Sequence, residues 1–461
     1  MDKEKEVMMR SYRAYQERRS NVSGKTIIGI DPGKSRHQAV IIDTTGIPVG
    51  KTFSFSVNHK GYHEKLWNEI KKQISDHSSS NLLFAVEASC NLWQTICNYL
   101  RLEGYEVVLV SPMITKQSRV MLNNDFSKTD PKDALLIGLN TQRGYYNKMR
   151  DYLEKANNMR SLSIAYDKLR KDYNSYRGRL RAAMELVFPE LLNVITLGTK
   201  TSYYLLGKYL FPAEYLNMDI QSESIKIEKI SRRRYGIKHL HKLQELAKHT
   251  IGISSHDNSY HRTIILIWLQ GMKEIDSRLK TILDQLIELA SSLKEFSILT
   301  NIMGISAKTA SLFLAEIGAI SAFNNYKEIE KYAGCNLRLT QSGKHVGSRR
   351  ISHLGNTRLR WILYQMTEET MKYIPEVRIK YLKRQLKKQI YRKNLVACIP
   401  QLLKLIFSLL KENRYYEYYK DRVSEMEKLN EQYQIVKAER VGRHRKRQNK
   451  PTIKEELRKI A

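Results

Sequence analysis

The sequence predicts an α/β domain near the N-terminus and a mostly helical chain after it. Short apolar runs that end in turn residues recur between positions 25 and 110, which is typical of strands in a sheet. From about position 148, apolar residues instead recur every three or four positions, which is the period of α-helices. The predicted organisation is a charged leader at 1–24, a sheet domain at 25–147, a helical linker at 148–296 with an insertion at 190–260, a helical domain at 297–413 and a basic tail at 414–461.

The composition indicates a polyanionic partner. The 461 residues include 79 Lys or Arg and 47 Asp or Glu, a formal net charge of +32, and such an excess favours nucleic acid. No apolar run approaches the roughly 20 residues that span a bilayer, and the charged first segment does not have the apolar stretch of a secretory signal. Four cysteines without CxxC spacing predict neither a zinc site nor disulfides. We therefore expect a cytoplasmic protein that binds nucleic acid and no membrane.

The sheet domain shows five strand patterns. The first three follow one another across tight turns, which predicts an antiparallel meander, and the others alternate with helices. The predicted strands are 26–31, 37–44, 47–57, 82–88 and 105–110, and the predicted helices between them are 60–74 and 92–102. A meander followed by alternating helix and strand is the layout of an RNase H-like fold.

Four acidic residues stand at the ends of these elements. Asp31 ends the first strand and Glu87 ends the fourth, whereas Asp130 and Asp133 open a helix pattern around Pro131. Singly, each has an ordinary explanation as a turn residue, a surface acid or a helix-capping acid. Together they favour a shared metal, because neighbouring carboxylates repel one another unless a cation compensates them. We expect Mg²⁺, or Mn²⁺ in its place, in a pair of sites that could clamp a phosphodiester.

The linker carries two long helical patterns. Apolar residues keep a spacing of three and four from Met159 to Val187 and again from Ile265 to Phe296. This spacing predicts either a helical hairpin within one chain or a coiled coil between protomers. Arg177 and Arg181 stand between the apolar positions of the first pattern, where they either contact phosphates or are solvated.

The last part of the chain holds a serine among cations. A turn at Gly304 between two helical patterns has the form of a helix-hairpin-helix element, which presents backbone N–H groups to phosphate. Further on, Ser342 follows a glutamine and precedes a glycine, and its hydroxyl either attacks a phosphodiester or stabilises a turn. The cations around it are Lys344, Arg349, Arg350, Arg358 and Arg360. An amphipathic helix is predicted at 391–413, and the basic segment 437–461 is predicted to be disordered.

These motifs resemble one known family. The segments IGIDPGK, AVEAS and KTDPKDA, followed later by QSG and by Gly-Asn with arginines, are similar to transposases of the insertion sequence 110 family. The resemblance implies a RuvC-like domain whose DEDD tetrad is Asp31, Glu87, Asp130 and Asp133. It also implies a C-terminal transposase domain whose nucleophile is Ser342, a structured bridge RNA as guide, and a dimer or tetramer in which one protomer completes another's site. Departures from the pattern are Met303, the run Asn336-Leu337-Arg338, and His353.

The sequence thus predicts an Mg²⁺-dependent DNA recombinase of a mobile element, located with the nucleoid of a prokaryotic cell. One alternative is a junction-resolving nuclease in which activated water, rather than Ser342, attacks the DNA. Another is a non-catalytic protein that binds or assembles nucleic acid through its helices and basic tail.

Overall fold

The computed structural model describes residues 2–123, 127–149, 154–252, 259–338, 341–342, 345–346, 350–387 and 390–448. The chain divides into two units, Met1–Asp151 and Tyr152–Ala461. Lys344 and Arg349, which the sequence predicts to bind nucleic acid, lie outside the described residues.

The first unit is built on a six-stranded mixed sheet. Its elements are α1 (Asp2–Val22), β1 (Thr26–Asp31), β2 (Arg36–Ile42), β3 (Pro48–Ser56), α2 (Leu66–Gln73), β4 (Leu82–Glu87), α3 (Trp93–Leu102), β5 (Glu106–Val110), α4 (Pro112–Asn123), α5 (Asp130–Gln142) and β6 (Asn147–Lys148). The strand order is β3-β2-β1-β4-β5-β6. The first three strands pair antiparallel, and β1, β4 and β5 pair parallel. The predicted meander and α/β arrangement are therefore confirmed.

Burial explains why β1 and β4 read as continuous apolar runs. Both strands lie inside the sheet, and Ile27, Ile28 and Ile30 are fully buried. A strand covered on both faces has no solvent side to alternate with, so its sequence is apolar throughout. The leader is helical and is held against this unit, since the Arg18 Nε donates to the Gly144 carbonyl at 2.8 Å.

The second unit is mostly helical. Its elements are α6 (Glu154–Val187), α7 (Lys200–Lys208), α8 (Pro212–Leu216), α9 (Ile220–Ser231), α10 (Ile237–Lys248), α11 (Ser259–Ser291), α12 (Lys294–Asn301), α13 (Ala307–Ile317), α14 (Tyr326–Tyr332), β7 (Leu337–Arg338), β8 (Gln341–Ser342), β9 (His345–Val346), β10 (Arg350–Ile351), α15 (Thr357–Thr370), α16 (Pro375–Leu386), α17 (Tyr391–Glu412) and α18 (Lys420–Gln448). The turn at Gly304 does lie between two helices, α12 and α13, as predicted.

The two long helices α6 and α11 pack along each other within one chain. Tyr176 meets Trp268 edge to face, with ring centroids 5.5 Å apart, and Gly271 lets α11 approach the Tyr176 ring. Of the two predicted arrangements, the structure therefore contains the intramolecular hairpin. The helices α7 to α10 pack against one end of this pair around their own apolar core. The described part of the predicted insertion, 190–252, is thus a folded helical insert.

The C-terminal helices α17 and α18 complete the second unit. In the described residues, α17 is the one helix long and apolar enough to span a membrane, and half of that stretch is buried inside the unit. The expected disorder beyond position 437 is wrong as far as Gln448, because α18 continues to that residue. It packs on α16, where Arg378 donates to Asn430 at 2.7 Å and Arg440 donates to the Gln385 carbonyl at 3.1 Å.

Candidate active site

Asp31 and Glu87 end two adjacent parallel strands. Ile30 pairs with Val86 in the register of β1 and β4, so that Asp31 and Glu87 each lie one residue further along the same sheet edge. Neighbouring strands are about 4.8 Å apart. The sheet itself therefore places these two carboxylates next to each other, as predicted from the strand patterns.

The helix α5 brings the other two acids to the sheet. A Cβ atom on Gly29 would lie 2.4 Å from the Ala134 carbonyl oxygen and 2.7 Å from the Gly138 nitrogen. The absence of a side chain at Gly29 therefore lets the middle of α5, at Ala134 and Gly138, lie directly on β1. Asp130 and Asp133 stand in the first turn of α5, as predicted, although the N-cap position is held by Thr129, whose side chain makes no capping hydrogen bond.

The electrostatics of Asp31 report an acidic cluster. Burial, together with the nearby charges of Glu87, Asp133 and Asp130, raises the pKa of Asp31 from 3.8 to about 6, and Lys128 opposes this rise. Like charges act on a pKa in this way only when they are close and poorly compensated. All four predicted acids therefore belong to one electrostatic site.

Arg119 is a site residue that sequence reasoning missed. Its Nε and Nη2 atoms donate to the two oxygens of Asp133 at 2.8 Å each, and Asp133 is 2 % exposed. The hydrogen bond to Asp133 raises the pKa of Arg119, and the charges of Glu87 and Asp31 add to this rise. Arg119 lies on α4, which is not among the helices that the sequence predicts. Proline after serine is a frequent helix start, and that signal could have found α4.

The four carboxylates suit a hard divalent cation, because oxygen is the ligand that Mg²⁺ prefers. Among the described residues, no three Asp, Glu, His or Cys side chains stand at the spacing of one shared ion, and Arg119 already holds Asp133. The donor set fits a metal by the chemistry of its oxygen ligands and by the repulsion among them. In the structure, Arg119 is the cation that compensates part of it.

Ser342 lies in a short β-hairpin of the second unit. The strand β8, which contains Ser342, pairs with β9, and β7 pairs with β10. The base of the hairpin is fixed, since the Ser352 Oγ donates to the Asn336 Oδ1 at 2.8 Å and the Asn356 nitrogen donates to the Tyr332 carbonyl at 2.7 Å. The Ser342 backbone is therefore part of a paired strand rather than an open loop.

The predicted nucleic-acid contacts take different positions in the second unit. Arg177 and Arg181 are exposed on α6, and Arg350 is exposed on β10. Arg360 donates to the Ala333 carbonyl at 2.8 Å. Arg358 donates to the carboxylate of Glu316 through Nε and Nη2 at 2.7 and 3.1 Å. Arg358 and Arg360 thus have structural partners in addition to any role at phosphate.

Glu316 is the centre of a buried polar network. Its side chain is fully buried and also accepts hydrogen bonds from Ser163 at 2.7 Å and Asn356 at 2.6 Å. Burial works to raise the pKa of Glu316, but the hydrogen bonds from Arg358 and Asn356 hold it below its ordinary value. The network joins α6, α13 and α15 and so supports the start of α15 behind the hairpin.

Glu316→Gln should destabilise the fold, because an amide cannot compensate Arg358 or accept all of these hydrogen bonds. We expect a loss of about 3–5 kcal/mol in the free energy of unfolding, measured by denaturant titration. A double-mutant cycle with Arg358→Met isolates the pair. A loss below about 1 kcal/mol, the usual value for an exposed ion pair, would contradict this assignment.

Two family models match the chain. Residues 28–189, which contain all four acids, match a model described as transposase of the DEDD IS110 type. Residues 296–382, which contain Ser342, match the model of the transposase IS116/IS110/IS902 family. No curated protein matches the chain. Two models of the same family thus match in sequence order on separate segments, one with the acidic site and one with the hairpin, and the chain belongs to the IS110 family of transposases.

Proposed function

We propose that this transposase cuts and rejoins DNA strands through a covalent serine intermediate, with Asp31, Glu87, Asp130 and Asp133 as the ligands of Mg²⁺ or Mn²⁺. The observation that supports this proposal most is the placement of Asp31 and Glu87 at one edge of the sheet, with Asp130 and Asp133 near enough that their charges add to the effect of burial and raise the pKa of Asp31. Repulsion between neighbouring carboxylates costs stability, and a divalent cation bound between them would relieve it.

Bound at these acids, a divalent cation would polarise the phosphodiester and stabilise the negative charge that develops on it. The acids hold their positions because β1, β4 and α5 are rigid elements of the sheet domain. Arg119 keeps Asp133 oriented through two hydrogen bonds and supplies positive charge beside the other acids.

Ser342 supplies the nucleophile in this proposal. Its Oγ attacks a DNA phosphorus, the Oγ–P bond forms and the bond from phosphorus to a deoxyribose oxygen breaks. The serine proton ends on the released sugar hydroxyl. Attack on the phosphoserine by a hydroxyl of another strand then restores the serine, so the number of phosphodiester bonds is conserved and no water is consumed.

We further propose that a bridge RNA guides the reaction and that the protein acts as a dimer or tetramer. The net charge of +32 supports a large polyanionic partner, since it exceeds what one short DNA segment would neutralise. In such an assembly, the hairpin of one protomer would reach the acids of another.

Sequencing of the RNA that co-purifies with the expressed protein tests the guided reaction. Recovery of one defined transcript encoded beside the gene is the expected result. Random cellular RNA in proportion to its abundance would count against a guide. The covalent chemistry is tested separately by the variants of Asp31 and Ser342.

A further inference from the structure

The helical insert carries a strongly basic segment across the end of α9, the following turn and the start of α10. Between positions 226 and 242 there are seven Lys or Arg and one Glu, a net charge of +6 in 17 residues, against +32 in the whole chain of 461. Neither family model reaches this segment, because their matches end at 189 and begin again at 296. Its charge is therefore a property of this chain that the family assignment does not explain.

The turn between α9 and α10 presents three arginines to solvent. Arg232 and Arg233 have φ angles of 53° and 61°, a left-handed conformation that glycine or asparagine adopts more easily. The turn is nevertheless fixed, because the Arg233 nitrogen donates to the Glu228 carbonyl at 2.8 Å and the Tyr235 nitrogen donates to the Ser231 Oγ at 3.0 Å. Arginine thus occupies positions where backbone conformation alone would favour other residues.

The helix α10 continues the same charged surface. Its buried face consists of Leu240, Leu243 and Ala247, which pack in the core of the insert. The opposite face is exposed and carries Lys238, His241 and Lys242. We define the insert basic surface as Lys229, Arg232, Arg233, Arg234, Lys238, His241 and Lys242.

The arginines of this surface form no ion pairs within the described part of the insert. Among the described residues, Lys226 pairs with the buried Glu223 at 3.1 Å, whereas Arg232, Arg233 and Arg234 form no ion pair. Exposed cations that are concentrated on a folded surface and unpaired within it raise the local concentration of a polyanion. The positive end of α10 begins directly after the turn and adds to this potential.

We propose that the insert basic surface binds the backbone of duplex DNA, through residues that are not part of the acidic site around Asp31. The shape favours DNA over RNA, because an exposed helix beside a basic turn fits the major groove of B-form DNA. The major groove of an A-form RNA duplex is too deep and narrow for side chains to enter. The contact holds DNA by its phosphates and does not depend on strand cleavage.

The test is the salt dependence of DNA binding by the full chain. The combined variant Arg232→Asn, Arg233→Asn and Arg234→Gln removes three charges, and asparagine keeps the left-handed positions accessible. In EDTA, with a short labelled DNA duplex, affinity should fall at least about tenfold at about 0.1 M salt. The slope of log affinity against log salt should fall by about 0.9 for each lost phosphate contact.

A second variant avoids the turn altogether. Lys238→Gln with Lys242→Gln lies on the regular helix α10 and should lower the slope by up to about 1.8, from two contacts. The matched control is Lys273→Gln, Arg278→Gln and Lys280→Gln, which removes three exposed charges from α11. The control should leave most of the affinity, and the melting temperatures of all variants should match that of the unmodified protein.

Wild-type affinity and slope in both surface variants would overturn the proposal, as would an equal loss in the control. A loss confined to an RNA duplex of the same sequence would overturn its assignment to DNA. Because binding is measured in EDTA, its outcome is separate from that of the recombinase mechanism. A chain that does not cleave DNA could still bind it at the insert basic surface. A chain that does not bind DNA at this surface could still cleave it.

Discussion

Asp31→Asn is expected to lower the rate of metal-dependent DNA strand cleavage by about 10³-fold or more. Losses of this size are typical when one member of a group of catalytic residues that act together is removed. Asp31 is the acid on which the charges of the other three converge. An amide is a weaker ligand for a hard cation and carries no charge to attract it. Cleavage of labelled DNA with Mg²⁺, in the presence of the co-purified RNA, measures the effect.

The same substitution should make the metal-free fold more stable at neutral pH. The pKa of Asp31 is about 6 in the folded chain against a reference value of 3.8. Between pH 3.8 and about pH 6, Asp31 is protonated in the folded chain and ionised in the unfolded chain. The free energy of unfolding therefore falls as the pH rises through this range. Asparagine does not ionise, and the variant should therefore melt above the unmodified protein in EDTA at neutral pH.

The effect of Mg²⁺ on the melting temperature is a second measurement for the same variant. Mg²⁺ should raise the melting temperature of the unmodified protein by binding the folded state, and it should do so much less for Asp31→Asn. The control is Glu103→Gln, which neutralises an exposed acid at the end of α3 and should change neither cleavage nor the response to Mg²⁺. If Asp31→Asn cleaved DNA as fast as the unmodified protein, the proposed role of the acids in cleavage would be wrong.

The sheet domain could be predicted from sequence because its signals are local. The strands β1 and β4 are apolar runs that end in an acid, so the same residues report both the strand and the position of the carboxylate. Periodicity and turn residues show that Asp31 and Glu87 each end a strand. That the two acids are neighbours depends on the parallel pairing of β1 with β4, which are separated in the chain by β2, β3 and α2.

Contacts between elements distant in sequence could not be predicted in this way. Arg119 is visible as a site residue only once α4 is placed against α5. Arg358 looks like a phosphate ligand in a basic sequence, yet its main partner is Glu316, 42 positions earlier and fully buried. From Lys437 onward α18 has the composition of a disordered tail, yet the helix continues to Gln448, and α18 packs on α16. The sequence shows which residues are charged, but the fold decides which residue each charge pairs with.

Ser342→Ala should remove the covalent protein–DNA adduct and strand exchange while DNA binding is retained. Alanine lacks the hydroxyl that forms the Oγ–P bond, and it fits a strand without a change of backbone conformation. The adduct is measured by separation of labelled DNA from denatured protein before and after protease treatment. Ser352→Ala is the matched control, because it disturbs the base of the same hairpin through Asn336 and leaves the nucleophile in place. Strand cleavage by Ser342→Ala without an adduct would instead assign the attack to water, as in a junction-resolving nuclease.

Mixing the two inactive variants tests whether protomers share a site. If Ser342 of one protomer acts at the acids of another, a mixture of Asp31→Asn and Ser342→Ala chains contains some sites with intact acids and an intact serine. For random assembly at equal amounts, about one quarter of the sites would be complete, so the mixture should regain adduct formation that neither variant shows alone. If each site instead takes its acids and its serine from one chain, every site in the mixture lacks one of them. In that case the mixture stays inactive, and the division of the reaction between protomers is ruled out while the serine chemistry still stands.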